Sequence, residues 1–275
     1  MRRLVSSTIA SASPRARPYS SGVRAGGALH GSLGTDFLPS MDEGSIVMDY
    51  FTPPGTSLTD TNQMLNEVEK FTGWGNENQP ERYRALLEAK TGRTWYASFT
   101  QEYGSWNANG KGHEILSTFP LESIDHTLIS YTRVIGSAGV LINGRNISLI
   151  VTHLDPDSQS RRLTQAREVI TWASARPENR IVTGDFNAWP DQSSIAEMNG
   201  SYLDSWTAAS ALGRALTFAG NSPVGATKNG RIDYIWLSKG SADLTVVESQ
   251  VYDTRDAKGT MPSDHRPLVT TFQVR

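Results

Sequence analysis

The chain carries a series of short apolar segments separated by turn residues, and the clearest of them predict a β-hairpin. Residues 139–142 and 147–153 are mostly apolar, and they flank the pair Asn143-Gly144. Asn-Gly is the preferred pair of a type I′ turn, whose twist matches that of two paired strands. Further strands are predicted at 95–99, 113–117, 180–183, 216–218, 232–237, 244–252 and 267–274, and helices at 80–91 and 160–175. This pattern predicts packed β-sheets covered by helices.

Composition narrows the classes of protein to which the chain can belong. Its 275 residues are enough for one large domain or two small ones, and a large domain of this length can bury its own core. The absence of cysteine excludes disulfides, thiol nucleophiles and thiolate metal sites. The formal net charge of −2 gives no sign of nucleic-acid binding by bulk electrostatics, so an anionic substrate would need a local feature such as a bound cation. No apolar run reaches the ~18 residues of a membrane span. We expect a monomer.

The N-terminal segment differs from the rest of the chain. Residues 1–35 contain no Asp or Glu and are rich in Arg, Ser, Ala and Gly. Such a composition buries little apolar surface, which predicts a disordered leader or extension over residues 1–40. An organelle-targeting leader and a simple unstructured extension both fit this composition. The compartment is left open, with export or organelle targeting as candidates.

Asp185 and Asn187 follow a buried strand in the sequence Gly184-Asp185-Phe186-Asn187. They lie two residues apart, so both side chains can point to the same side of an extended segment. A carboxylate beside a carboxamide can orient a water molecule and accept its proton. The alternative is an Asx-type turn that ends the strand.

Three further polar positions lie in or beside apolar strands. Asp233 interrupts a strand, and burial of its carboxylate requires a partner, either His265 or Arg231. Asp264-His265 begins the last strand, where the carboxylate can bind a divalent cation and the imidazole can contact a phosphoryl oxygen. The alternative is a polar loop with a surface ion pair. His153 ends another strand, as a donor to a phosphate oxygen or as a structural histidine.

The order of these strand ends resembles the endonuclease/exonuclease/phosphatase superfamily, which includes the DNase I-like nucleases. A further segment at residues 112–120 is similar to the Gly-Asn-Ala-Ile-Leu-Ser-Arg-Phe-Pro stretch of that superfamily, with His113 in place of Asn. The resemblance rests on Thr152-His153-Leu154, Gly184-Asp185-Phe186-Asn187, Arg231-Ile232-Asp233-Tyr234 and Ser263-Asp264-His265-Arg266-Pro267. It covers residues 67–275, which we take as the catalytic domain.

The resemblance implies an α/β fold, a four-layer α/β/β/α sandwich with two mixed β-sheets and the site at one rim. It implies that Asp185 activates the attacking water and that Asn187 holds phosphate or water. His265, oriented by Asp233, would stabilise the phosphoryl group, and His153 would contact the phosphate or the leaving group. Asp264 would bind a divalent cation, usually Mg²⁺, with Mn²⁺ and Ca²⁺ as alternatives.

Residues 41–66 form an atypical segment before this domain. The superfamily begins with a strand that carries Asn, where this chain has Phe51, so we expect an incomplete or altered first strand. Asn66-Glu67 resembles the Gln-Glu segment whose Glu is the main metal ligand, which makes Glu67 the second candidate ligand. Residues 36–66 also resemble a periplasmic segment of resistance-nodulation-division efflux pumps, which suggests a chimeric N-terminus. In that reading residues 58–71 form a helix, whereas the nuclease-like reading makes 64–68 a strand.

The resemblance predicts a divalent-metal-dependent hydrolase of phosphoester bonds, acting on a diester or a monoester. The alternative is a catalytically impaired relative that only binds phosphorylated ligands, because the first strand is altered. Nucleic acid, lipid head groups and sugar phosphates are all open as substrates. Five tryptophans can stack on bases or anchor the core and its loops: Trp74, Trp95, Trp106, Trp189 and Trp206.

Overall fold

The computed structural model describes residues 2–10, 47–52, 79–103, 111–255, 259 and 263–275, with the first two ranges described by their backbone. In chain order the elements are β1 (Arg2–Ala10), β2 (Val47–Thr52), α1 (Gln79–Thr91), β3 (Tyr96–Tyr103), β4 (Lys111–Ser117), β5 (Glu122–Ile129), β6 (Arg133–Ile142), β7 (Arg145–His153), α2 (Gln159–Ala173), β8 (Arg180–Asp185), α3 (Ser193–Ser201), β9 (Tyr202–Asp204), α4 (Ser205–Ala211), β10 (Ala215–Leu216), β11 (Asp233–Ser238), β12 (Leu244–Val251) and β13 (Leu268–Val274).

The first sheet has seven strands in the order β10-β12-β13-β1-β2-β4-β3. β1 pairs antiparallel with β13 on one side and with β2 on the other, and β2 runs parallel to β4. The leader predicted to be disordered over residues 1–40 therefore contains a strand at Arg2–Ala10, and residues 11–40 lie outside the described part. The strand predicted to be altered, around Phe51, is β2. Both parallel and antiparallel pairs occur, so this sheet is mixed.

The second sheet has six strands in the order β5-β6-β7-β8-β11-β9. β6 and β7 form the predicted hairpin, and both turn residues, Asn143 and Gly144, have the positive φ of a type I′ turn. β7 and β8 are parallel, and β8 and β11 are antiparallel. The fold is thus the predicted α/β type with mixed sheets.

Two groups of buried side chains show how these elements pack. One contains residues of both sheets, such as Ile115 and Phe272 from the first and Leu149 and Ile235 from the second, so the sheets face each other. The other joins the second sheet to α2 and α3. Ser158 precedes α2 as its N-cap, and its hydroxyl accepts a hydrogen bond from the Arg161 N–H.

Sequence patterns predicted the long, apolar elements of the described part. The helices α1 and α2 lie within one or two residues of their predicted ends, and the predicted strands correspond to β3, β4, β6 to β8 and β10 to β13. β5 was missed because most of its side chains are exposed and carry no apolar alternation. The predicted helix at 58–71 and the competing strand at 64–68 lie outside the described residues. Among the described residues, no helix has the length and apolarity needed to cross a membrane.

Candidate active site

Strand register brings three predicted site residues into one row. His153 at the end of β7 is paired with Asp185 at the end of β8, and Asp185 is paired with Asp233 at the start of β11. All three side chains are buried. His153 Nε2 lies 3.5 Å from Asp185 Oδ2. The ends of three neighbouring strands, β7, β8 and β11, therefore place an imidazole and two carboxylates side by side.

Two residues with positive φ shape the end of β8 and the turn that follows it. Gly184 has φ +148°, and a Cβ at this position would lie 1.9 Å from the Thr152 carbonyl oxygen, so only glycine allows β8 to approach β7 this closely. Asn187 has φ +46°, and its backbone N–H donates to Asp185 Oδ1 at 2.7 Å. The Asx-type turn that we considered is present, and it fixes both side chains of the Asp185–Asn187 pair.

The carboxamide of Asn187 points back to the end of β7. Its Nδ2 donates to the Leu154 carbonyl at 3.0 Å and lies 2.9 Å from His153 Nε2. Asn187 is partly exposed, whereas His153 and Asp185 are buried. Asn187 is therefore the member of this group that is most accessible to a substrate oxygen.

His265 reaches this row from the opposite sheet. It precedes β13, and its Nδ1 lies 3.0 Å from Asp233 Oδ2, which confirms the predicted pairing of these two residues. Arg231, the other predicted partner, instead pairs with Asp204 at 2.6 Å. His265 Nε2 lies 3.9 Å from Asp185 Oδ2. This histidine thus lies between the two buried carboxylates and is hydrogen-bonded to that of Asp233.

The charge state of His265 follows from these contacts. Burial alone lowers its pKa, but the carboxylate of Asp233, followed by that of Asp185, outweighs burial and raises the pKa of His265 to about 9. The ring is therefore an imidazolium at neutral pH. Its Nε2 has no hydrogen-bond partner among the described residues. A buried cationic N–H without a partner is suited to donate to an anionic ligand.

His153 lies in a different electrostatic environment. Burial, and then the charge of Arg133, hold the pKa of His153 well below its usual range. Arg133 Nη1 lies 3.4 Å from His153 Nδ1 and 3.1 Å from Glu102 Oε1. The two histidines of the site therefore differ in charge, because one faces carboxylates and the other faces a guanidinium.

Of the two predicted metal ligands, Asp264 and Glu67, only Asp264 is among the described residues. Asp264 is exposed over 45% of its side chain, and its Oδ2 lies 2.9 Å from Lys228 Nζ. Burial raises its pKa, but the charges of His265 and Lys228 outweigh burial, so the pKa of Asp264 is lowered. Glu67 lies outside the described residues. The surface ion pair that we considered for Asp264 is thus present.

One group of side chains in the described part fits a metal ion by geometry. Asp185, Asp233 and His265 offer ligand atoms that all lie within 4.8 Å of one another. Asp233 Oδ1 is buried and has no hydrogen-bond partner among the described residues. Carboxylate oxygens are the ligands that hard divalent cations prefer. The donor set is therefore compatible with a divalent cation, chiefly through its carboxylates.

Sequence reasoning missed several polar residues around the site. Arg133 begins β6, Glu102 lies near the end of β3, and Lys228 lies in the loop before β11. The available signal was a charged residue at the edge of an apolar strand, as for Arg133-Val134-Ile135. Of the five tryptophans, Trp95 and Trp206 are buried anchors, whereas Trp189 is 53% exposed just after Asn187. Trp74 and Trp106 lie outside the described residues.

Comparison of the fold with solved structures gave three informative neighbours, all below 25% identity. The human Nocturnin catalytic domain with bound sulfate shares 22% identity and a TM-score of 0.52, covering 70% of this chain and 76% of that one. D. rerio TDP2 complexed with a single-strand DNA product shares 19% identity and a TM-score of 0.52, covering 70% and 82%. A mannosyl-6-phosphatase from Bacteroides thetaiotaomicron shares 16% identity and a TM-score of 0.52, covering 70% and 82%. These neighbours support the DNase I-like fold.

Comparison of the sequence gave the family. A search of curated proteins found no match. The sequence model of the Endonuclease/Exonuclease/phosphatase family matches residues 60–265. This match begins inside the segment 36–66, and the interpretation of that segment as part of an efflux pump is not supported. The chain therefore belongs to the Endonuclease/Exonuclease/phosphatase family.

Proposed function

We propose that this protein is a divalent-metal-dependent hydrolase of phosphoester bonds. The observation that carries the proposal is the buried His265–Asp233 pair beside Asp185, because it combines a cationic donor with a carboxylate that can accept a proton. Phosphoryl transfer needs charge neutralisation and positioning more than covalent chemistry. Family membership supports the same class of reaction.

Each described residue has a proposed role in this reaction. Asp185 orients the attacking water and accepts its proton. The imidazolium of His265 donates from Nε2 to a phosphoryl oxygen, while Asp233 holds the ring and stabilises its charge. Asn187 and neutral His153 supply further donors on the other side of Asp185. The site thus surrounds a phosphoryl group with donors at the edge of the second sheet.

A divalent cation would add charge neutralisation and would help to position the phosphoester. We propose that carboxylates hold it, because a protonated His265 has no lone pair to offer. Asp264 and Glu67 stay the proposed ligands from sequence. A cation at Asp264 would have to compete with Lys228 for that carboxylate. Mg²⁺ is the expected ion, and Mn²⁺ and Ca²⁺ are the alternatives.

The substrate class is proposed at the level of the phosphoester. Among the neighbours, one structure contains a DNA product, one contains sulfate and one is a mannosyl-6-phosphatase. A nucleic-acid or nucleotide substrate is supported by the exposed ring of Trp189, two residues after Asn187 in the chain, since exposed aromatic rings stack on bases. The indole of Trp189 packs against the backbone of Gly230, because a Cβ at Gly230 would lie only 3.1 Å from Trp189 Nε1.

The proposal is tested by hydrolysis of bis(p-nitrophenyl) phosphate and p-nitrophenyl phosphate with Mg²⁺, Mn²⁺, Ca²⁺ or excess chelator. We expect turnover of at least one ester with a divalent cation and its loss with chelator. Turnover that persists in chelator would refute the metal-dependent reaction. No turnover with any cation, combined with saturable binding of inorganic phosphate, would instead favour the impaired, ligand-binding relative.

A further inference from the structure

Arg133 and Glu102 form a buried ion pair that joins the two sheets next to the site. Arg133 begins β6 in the second sheet, and Glu102 lies near the end of β3 in the first. Their atoms Nη1 and Oε1 are 3.1 Å apart, and both side chains are at most about one-tenth exposed. A buried guanidinium is costly unless it is paired, so Glu102 makes it possible for Arg133 to occupy this position. Because both side chains are buried, this is a buried ion pair and not a surface one.

The same Nη1 atom of Arg133 faces the ring of His153. It lies 3.4 Å from His153 Nδ1. A guanidinium only donates hydrogen bonds, so this contact requires His153 Nδ1 to be an acceptor. In a neutral imidazole the hydrogen then resides on Nε2, which faces Asp185 Oδ2 at 3.5 Å. The contact with Arg133 therefore places the hydrogen of the His153 ring on Nε2 and not on Nδ1.

Asn187 competes for the opposite side of the ring. Its Nδ2 also faces His153, at 2.9 Å from Nε2, and a neutral imidazole accepts from one donor only. The Asn187 contact is shorter, but its carboxamide keeps a second partner in the Leu154 carbonyl and is partly exposed. The guanidinium is charged, buried and held in place by Glu102, so its direction toward Nδ1 is fixed, whereas the carboxamide can turn toward a ligand. This difference favours the bond from Arg133.

We infer that Arg133, anchored by Glu102, is a positioning residue that holds His153 with its Nε2 hydrogen directed at the reacting phosphoester. The inference rests on the proposed function for the identity of the ligand, and on the described contacts for the orientation of the ring. His153 then donates to a phosphate oxygen, and Asn187 turns its amide hydrogen from His153 to the same ligand. Removal of Arg133 leaves Asn187 as the remaining donor, which transfers the ring hydrogen to Nδ1.

His113 supports the ion pair from β4. Its Nε2 lies 3.7 Å from Glu102 Oε2, and its ring centroid is 6.2 Å from that of His153. This residue stands where the resembling family segment has Asn. Its ring nitrogen lies against the carboxylate of Glu102, so we expect His113→Asn to change the orientation of His153 much less than a substitution of Arg133.

The test compares Arg133→Met with Arg145→Met, a matched control at the start of β7, the end of the strand opposite His153. Long-range ¹H–¹⁵N spectra of the metal-free, full-length protein report which ring nitrogen of His153 carries hydrogen, with His153→Gln used for assignment. We expect hydrogen on Nε2 in the wild type and in Arg145→Met, and on Nδ1 in Arg133→Met. Hydrogen on Nδ1 in the wild type, or an unchanged tautomer in Arg133→Met, would overturn the inference.

Kinetics give the second readout. Outer-shell residues that orient metal-ligating histidines typically contribute about 10- to 100-fold to affinity or activity. By analogy we expect kcat to fall by about 10- to 100-fold in Arg133→Met while KM changes little. Glu102→Gln, which retains Arg133, serves if Arg133→Met does not fold, and is expected to shift both readouts in the same direction. A kcat equal to that of the wild type in both folded variants would contradict the positioning role of Arg133. Absence of turnover in the wild type would count against the proposed function, whereas the tautomer measurement would still decide this inference.

Discussion

His265 Nδ1 lies 3.0 Å from Asp233 Oδ2, and both residues are about 1% exposed. The two come from facing sheets, since Asp233 begins β11 and His265 precedes β13. The contact therefore links the packing of the sheets to the charge of the site. Because the carboxylate raises the pKa of the imidazole, the pair has a measurable consequence for stability.

The first prediction concerns stability against pH in the metal-free protein. The folded pKa of His265, about 9, exceeds its unfolded value of about 6.5. Its contribution is fully present below pH 6.5 and is lost as the pH rises through 9, which amounts to about 3 kcal/mol. Urea unfolding at pH 6.5, 8 and 9.5 measures it. The buried His153 and His113 have lowered pKa values and titrate below this window. A His265→Gln variant with the same pH slope as the wild type would contradict the assignment.

The second prediction concerns Gly184. Alanine here would place Cβ 1.9 Å from the Thr152 carbonyl oxygen at a φ of +148°, so β7 and β8 must separate. We expect Gly184→Ala to lower the free energy of unfolding by more than about 3 kcal/mol. The matched control is Gly144→Ala, where φ is also positive but no atom lies within 4 Å. It should cost only about 1 to 2 kcal/mol, and equal losses in the two variants would argue against the close approach of the strands.

The third prediction separates backbone strain from function at Asn187. Its left-handed φ of +46° favours glycine, so Asn187→Gly relieves strain while it removes the carboxamide. We expect an unfolding free energy within about 1 kcal/mol of the wild type and a fall in kcat of about 100-fold. Asn143→Gly, at φ +54° in the hairpin turn, should leave kcat unchanged. Full activity in Asn187→Gly would remove Asn187 from the site.

The fourth prediction concerns Lys228, whose Nζ lies 2.9 Å from Asp264 Oδ2. If Asp264 binds the cation, Lys228 competes with it. Because partly exposed ion pairs contribute up to about 1 kcal/mol, we expect Lys228→Met to tighten Mg²⁺ binding by about two- to fivefold. Titration calorimetry without substrate measures this change. Unchanged or weaker Mg²⁺ binding would indicate that Asp264 is not a ligand.

Sequence patterns predicted the group of Asp185, Asp233 and His265 better than they predicted the surroundings of His153. Asp185, Asp233 and His265 were assigned as one group from motifs at strand ends, and strand register brings them together. The pairing of Asp233 with His265 required only that a buried carboxylate have a partner. Asp264 also follows a recognisable motif, but its pairing with Lys228 was not visible, because Lys228 lies in a loop with no periodic pattern.

The surroundings of His153 could not be predicted in the same way. Arg133, Glu102 and His113 come from three strands on two sheets, and their meeting depends on how the sheets face each other. No local spacing encodes that packing. The φ angle of Asn187 likewise follows from its turn and its bond to Asp185, which the sequence indicated only as a turn. Glu67 lies outside the described residues, so its role as a ligand stays a prediction.

The most direct test of the account is the rate of aryl phosphodiester hydrolysis in Asp185→Asn at saturating Mg²⁺. Asp243→Asn is the matched control, because Asp243 pairs with Arg145 near the starts of β7 and β8, the ends opposite the site. We predict that Asp185→Asn lowers kcat at least about 100-fold and that Asp243→Asn retains it, with both variants folded by circular dichroism. Wild-type kcat in folded Asp185→Asn would contradict the account.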